Sequence, residues 1–184
     1  MSYHLSTHES VANAARLVRA GAGAVKLEGG AKRLDHVHAI LDAEIPVMGH
    51  LGMTPQSVHA LGGFRVQGRA PDEARSIMAD ARAVANAGAF CVVIEGTVES
   101  LARDITRAIP IPTIGIGASA ACDGQVIVTE DILGLYSAFT PKFVKRYAEL
   151  GASVSDAVAA YAADVRSRKF PGPEHVYGAA PKGA

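Results

Sequence analysis

Lys26, Glu28, His50 and Glu95 are the residues of this sequence best placed to do chemistry. Each lies in or directly after a short apolar run: Ala24-Val-Lys-Leu-Glu28, Pro46-Val-Met-Gly-His50 and Cys91-Val-Val-Ile-Glu95. In parallel α/β architectures ligands gather at the C-terminal ends of such strands. Lys26 and Glu28 are two apart, so on a strand they point to one face. Facing an interior, they are costly unless paired or used. Two readings follow: a buried Lys26–Glu28 ion pair, or a site for an acidic substrate, a metal, or both. Glu95 ends a very apolar run, which suits a carboxylate to proton transfer; the plainer reading is an exposed strand-end glutamate. His50 is either a satisfied core group or a site residue, and its position alone leaves both open.

Residues 50–69 show no clear periodicity and hold Gly52, Gly62, Gly63 and Gly68. A segment of that length in a compact domain is usually a lid or binding loop, and apolar Leu61, Phe64 and Val66 argue against a plain connector. Gly115-Ile-Gly-Ala-Ser119 suits either a backbone approach to phosphate or tight strand packing. His36 and His38 are two apart on an expected helix, so they face different directions and read as solvated. His4 and His8 flank a helix start with no acidic partner in position.

The elements that must position these residues alternate. Ser6 and Glu9 fit a capping box for a helix to Ala20, which Gly21 stops. Strands are expected at 24–28, 45–49, 91–95, 113–117 and 125–129. Further helices are expected at 31–43, from Pro71 to near Gly88, at 98–108, from Thr140-Pro141 to Gly151, and from Ser153 to about Arg168. The tail from Phe170 is rich in Pro and Gly. Short apolar strands separated by helices argue a parallel sheet covered on both faces. There is an internal echo: residues 20–29 align without gaps on 87–96, each a helix end, a glycine stop, a strand, then Glu-Gly. Repeated helix–strand units suit a barrel better than an open sheet.

The chain has 184 residues, one-domain length but short for a complete eight-stranded barrel, which usually needs about 250. It is 49% hydrophobic and 20% charged, with 18 basic residues against 18 acidic. No Lys/Arg stripe forms, which argues against nucleic acid and anionic membrane as partners. Cys91 and Cys122 lack zinc or CxxC spacing and read as small buried hydrophobes. No apolar run approaches the roughly 18 residues of a membrane span, and the start is polar, so a cytoplasmic location is expected.

Six motifs are more specific together than any is alone. Val25-Lys-Leu-Glu-Gly-Gly30, Pro46-Val-Met-Gly-His-Leu-Gly-Met-Thr-Pro-Gln56, Gly62-Gly-Phe-Arg-Val-Gln-Gly68, Gly115-Ile-Gly-Ala-Ser119, Cys122-Asp-Gly-Gln125 and Pro141-Lys-Phe-Val-Lys-Arg-Tyr147 occur in this order, followed by Phe170-Pro-Gly-Pro-Glu-His175. This ordered set resembles the ketopantoate hydroxymethyltransferase family. The resemblance implies an α/β fold, a (β/α)8 TIM barrel of the phosphoenolpyruvate/pyruvate type, and transfer of a one-carbon unit from 5,10-methylenetetrahydrofolate to 3-methyl-2-oxobutanoate. It further implies Mg2+ as cofactor with Glu28 at the metal, Lys26 and His50 at the substrate, and Glu95 as the base that takes the C3 proton. By the same analogy a homo-oligomer is expected.

One departure matters. The family's two metal-binding aspartates lie in Gly-Asp-Ser and Asp-Leu-Pro-Phe-like motifs, and neither occurs here. The expectation is therefore a single partial barrel domain over 1–184 with its last five strands and C-terminal helices, a tail at 170–184, and Met1 at a position internal to the family. The competing readings are an inactive or partner-dependent barrel fragment, and a carbon–carbon lyase acting on 2-oxo acids, against which the ordered motifs argue.

Overall fold

A computed structural model describes residues 2–60, 62–135 and 139–178. The described chain divides into two compact units, one ending at Val126 and the other starting at Ile127.

The first unit carries five parallel strands in the order β1-β2-β3-β4-β5. These are β1 (Val25–Glu28), β2 (Val47–Gly52), β3 (Cys91–Glu95), β4 (Thr113–Ile116) and β5 (Gly124–Gln125). Helices α1 (Thr7–Arg19), α2 (Leu34–Asp42), α3 (Pro71–Asn86) and α4 (Glu99–Ala108) alternate with them. Local chemistry sets their starts. The Ser6 side chain accepts the Glu9 N–H at 3.1 Å, and Pro71 opens α3 where its missing N–H costs nothing.

The helices pack on one sheet face only, against Val25, Leu27 and Val47 on one side and Leu51, Val92 and Ile94 on the other. An unbroken sequential strand order returns every crossover to the same side, which is the winding of a barrel wall; doubly wound sheets reverse their order and cover both faces. By strand alternation the opposite face presents Lys26, Glu28, His50, Val93 and Glu95.

Two glycines in the sequence echo have a visible purpose. Gly21 and Gly88 both turn with positive φ, at 105° and 98°, ending one helix and entering the next strand. Gly30 serves a close approach: Asp80 of α3 accepts the Ala31 N–H at 2.8 Å, and a Cβ on Gly30 would collide with that carboxylate. Gly30→Ala should therefore cost about 1–3 kcal/mol, the range for breaking a hydrogen bond to a charged group. Chemical denaturation checks this, and Gly30→Ala added to Asp80→Ala should cost little more than either alone.

At the far edge, Asp123 accepts from the Thr113 N–H at 2.8 Å and from its hydroxyl at 3.1 Å. These bonds hold the Asp123 carboxyl below its usual pKa. A depressed folded pKa contributes stability that is complete above the ordinary value of 3.8 and is lost as pH falls through the folded one. Asp123→Asn should flatten the fall of stability with pH below about pH 4, read by thermal melts across that range.

The second unit holds the short α5 (Thr129–Ile132) and α6 (Leu150–Arg166). Two expectations fail here. The fifth strand stops at Gln125, because Thr129 begins α5. The helix expected from Thr140-Pro141 does not form, since its backbone donors serve another segment. The Tyr147 N–H bonds the Ile132 carbonyl, and the N–H groups of Leu150 and Gly151 bond Leu133 and Gly134. Gly151 does not end a helix; it sits in the first turn of α6, where a Cβ would meet the Gly134 and Leu135 carbonyls at 2.7 and 3.2 Å. No described helix is long and apolar enough to cross a membrane.

Candidate active site

Strand register builds the site. Glu28 pairs with His50 across β1 and β2, and Gly52 with Glu95 across β2 and β3. The three side chains thus form a row over the C-terminal ends of adjacent strands. His50 Nδ1 lies 3.8 Å from Glu28 Oε1, and His50 Nε2 lies 3.1 Å from Glu95 Oε2. Their exposures are 1% for His50, 9% for Glu28 and 22% for Glu95, so the histidine is sealed between a buried carboxylate and one a ligand can reach.

Nε2 of His50 lies at ion-pair distance from Glu95, and neither ring nitrogen completes a hydrogen bond among the described residues. Buried polar atoms are nearly always satisfied, and each exception calls for a reason such as catalysis or ligand binding. His4 Nδ1 and Thr97 Oγ1 are also buried without a hydrogen-bond partner among the described residues, and the Tyr3 hydroxyl meets the Glu28 backbone. Tyr3 and His4 both feel the charge of Glu28. Burial first, then that charge, pushes the Tyr3 phenol up to about 12, so it keeps its proton. Burial and the nearby Arg33 push His4 down.

One main-chain donor from the segment after β2 reaches the row, and another extends the β2–β3 ladder. Gln56 N–H bonds Glu28 Oε2 at 2.9 Å, and Met53 N–H bonds the Glu95 carbonyl at 2.8 Å. Farther along, Phe64 is 78% exposed, and Gly62 and Gly63 have positive φ with nothing near their Cβ positions. Leu61, also expected to contribute apolar cover, lies outside the described residues.

Lys26 stands apart from the other three. It is exposed and forms no ion pair with Glu28, so the buried-pair reading fails. It lines a separate cavity of about 440 Å³ beside β1, with Tyr3, Asn13, Arg16 and Leu27. That cavity does not include Glu28, His50 or Glu95.

The donor set bears on Mg2+, the metal the family resemblance implies. That ion takes oxygen ligands in near-ideal octahedral geometry, usually one or two carboxylates with water and substrate. Here one oxygen of Glu28 already holds the Gln56 N–H, and an imidazole stands between Glu28 and Glu95. Among the described residues no three His, Cys, Asp or Glu side chains converge as a metal site. The residues present do not fit Mg2+ by themselves.

Several site neighbours carried no sequence signal. Tyr3 and His4 precede the first helix without a periodic pattern, and the pairing of Gln56 with Glu28 spans 28 positions. His36, read as solvated, is half-buried and holds the Ser10 hydroxyl at 2.8 Å, tying α2 to α1. Ser119 of the glycine-rich stretch bonds Glu99 at 2.9 Å, and Gly115 packs against Cys122 and Gln125, so this stretch serves packing.

Residues 1–173 match the family described as ketopantoate hydroxymethyltransferase. A 3-methyl-2-oxobutanoate hydroxymethyltransferase of Rhodospirillum centenum is 59% identical over 179 residues, covering 97% of this chain and 65% of its own length. One from Rhodospirillum rubrum is 56% identical over 178 residues, covering 96% of this chain and 64% of its own. The chain thus spans somewhat less than two thirds of these relatives. A crystal structure from Burkholderia cenocepacia J2315, described as a phosphonomutase, aligns over 90% of this chain and 68% of its own, at 18% identity and a TM-score of 0.48, too low to argue from.

Proposed function

Because the chain belongs to the ketopantoate hydroxymethyltransferase family, we propose that the Glu28–His50–Glu95 row is the proton-transfer centre for hydroxymethyl transfer to 3-methyl-2-oxobutanoate. The observation that carries this reading is His50, buried between two carboxylates with Nε2 3.1 Å from Glu95 and Nδ1 3.8 Å from Glu28. In the reaction one C–H bond of the 2-oxo acid breaks at C3. The resulting enolate carbon bonds the one-carbon unit of 5,10-methylenetetrahydrofolate as its C–N bonds to N5 and N10 break; water supplies the hydroxyl, and tetrahydrofolate leaves with the C3 proton and the other water proton on its two nitrogens.

Glu95 takes the C3 proton, being the carboxylate of the row with an exposed edge. His50 holds that carboxylate from the buried side. Glu28, fixed by the Gln56 N–H, holds the other side of the ring. Lys26 is assigned to the substrate's carboxylate by the family resemblance; its cavity beside β1 lies apart from the row. Mg2+ is given no step, because the residues present do not form its site.

The test is deuterium exchange at C3 of 3-methyl-2-oxobutanoate in D2O, followed by NMR. This chain should exchange the proton above the solvent rate, and a rate equal to solvent would overturn the reading. The segment over the row supplies a second check. Binding the 2-oxo acid beneath residues 53–64 should slow their amide exchange. Unchanged protection with saturating 2-oxo acid would mean that the segment is not a cover.

A further inference from the structure

The far end of this covering segment is fastened by one carboxylate outside the row. Glu73, in the first turn of α3, accepts at Oε2 from the Gly68 N–H at 2.8 Å and from the Arg69 N–H at 3.2 Å. Its Oε1 pairs with the Arg65 guanidinium at 3.1 Å. Hydrogen bonds to an ionised acceptor are about twice as strong as neutral ones, and one carboxylate here gathers three donors within five residues of chain. These donors lie outside the helix, so the contact does more than close its N-terminus. Gly68 makes the turn possible: its φ is +80°, and a Cβ there would strike Leu101.

Between Arg65 and Gly68 sits Gln67, buried and stitched to the end of β3. Its N–H bonds the Gly96 carbonyl at 2.8 Å, and its own carbonyl accepts the Val98 N–H at 3.0 Å. Its side chain turns back to the Arg65 carbonyl at 2.9 Å. Gly96 is the residue after Glu95. A continuous path of hydrogen bonds therefore runs from Glu73 through residues 65–69 to the backbone that carries Glu95.

We propose that Glu73 is a positioning residue for Glu95: it fixes Gln67 against Gly96 and so holds the Glu95 backbone in place beneath the covering segment. The catalytic part of this inference rests on the proposed function; the mechanical part does not. In Glu73→Ala the three donors lose their acceptor, residues 65–69 loosen, and the Gln67 clamp on Gly96 and Val98 opens. The Glu95 carboxylate then samples positions away from the substrate C3, lowering kcat more than it raises KM.

The experiment is amide hydrogen exchange on the 184-residue chain, comparing wild type with Glu73→Ala and the isosteric Glu73→Gln. The expected result is that the Gly68, Arg69 and Val98 amides exchange about 10-fold faster or more in Glu73→Ala, with Glu73→Gln intermediate and the β1 and β2 amides unchanged. Val98 is the decisive reporter, because its N–H is held by Gln67 and not by Glu73. Faster exchange confined to Gly68 and Arg69 would overturn the proposal, as would no change in either variant. If Glu73→Ala fails to fold, Glu73→Gln decides by the same Val98 criterion. The C3 exchange assay is run in parallel: a wild-type kcat per folded molecule in a variant with a loosened Val98 would overturn the positioning role. A wild-type chain without C3 exchange would refute the functional reading alone, leaving the Val98 result to judge the clamp.

Discussion

Glu95→Gln is expected to lower C3 deuterium exchange into 3-methyl-2-oxobutanoate by about 10²–10⁴-fold, the usual cost of removing a general base. The substitution keeps size and shape, so the fold should survive. Glu95 ends β3, and the residues beneath it, Val92 and Ile94, are packed in the core independently of its side chain. What changes is that an amide cannot accept the C3 proton. Substrate binding should change far less, because the proposed anchor is Lys26 on β1. The expected signature is a collapsed kcat with KM within a few-fold of wild type, which is the mark of an interaction made only in the transition state. His50→Ala offers the contrast. It leaves the base but removes the ring 3.1 Å from it, so a smaller loss should follow. A Glu95→Gln chain that exchanges the C3 proton at the wild-type rate would remove Glu95 from the mechanism.

The site was legible where the information is local. Cys91–Glu95 is a strand with the bounds its apolar run predicts, and the echo between 20–29 and 87–96 corresponds to matching turns at Gly21 and Gly88. Since both echoes end in Glu-Gly at a strand's C-terminal end, Glu28 and Glu95 had to lie at one edge of a parallel sheet. His50 falls between them because β2 falls between β1 and β3. What the sequence hid is tertiary. Glu73 reads as an ordinary first-turn acid, and only the folded chain shows its carboxylate bonded to Gly68 and Arg69. His36 reads as a surface residue until α1 brings Ser10 to it. Thr140-Pro141 reads as a helix start, but tertiary bonds to residues 132–134 take the backbone donors at the end of that stretch. Lys26 was placed correctly along the strand, yet alternation alone does not tell whether a side chain on that face is covered.

Lys26 and the open side of β1 lead to the second large effect. The 184-residue chain should exchange the C3 proton about 100-fold more slowly than its Rhodospirillum centenum relative, the cost seen when transition-state charge loses a main stabilising group. The argument starts from the ladder. Val25 and Gly29 donate their N–H groups to β2, at Pro46 and His50, so the N–H groups of Lys26 and Glu28 point away from β2, where the Glu28 N–H meets the Tyr3 hydroxyl and no strand pairs with β1 among the described residues. An edge with no strand neighbour holds its strand less firmly than a paired one. The charge balance is the second weakness. The enolate needs positive charge near its oxygen, and here Lys26 lines a cavity apart from the row, whose carboxylates form no Mg2+ site among the described residues. If the deficit lies in the donor set, Mg2+ should change the exchange rate of this chain less than about twofold. Both proteins are assayed side by side in D2O at one substrate concentration, with and without Mg2+. Equal rates, or an equal response to the ion, would mean that the row of Glu28, His50 and Glu95 generates the enolate without further carboxylates, and that the open side of β1 does not weaken it.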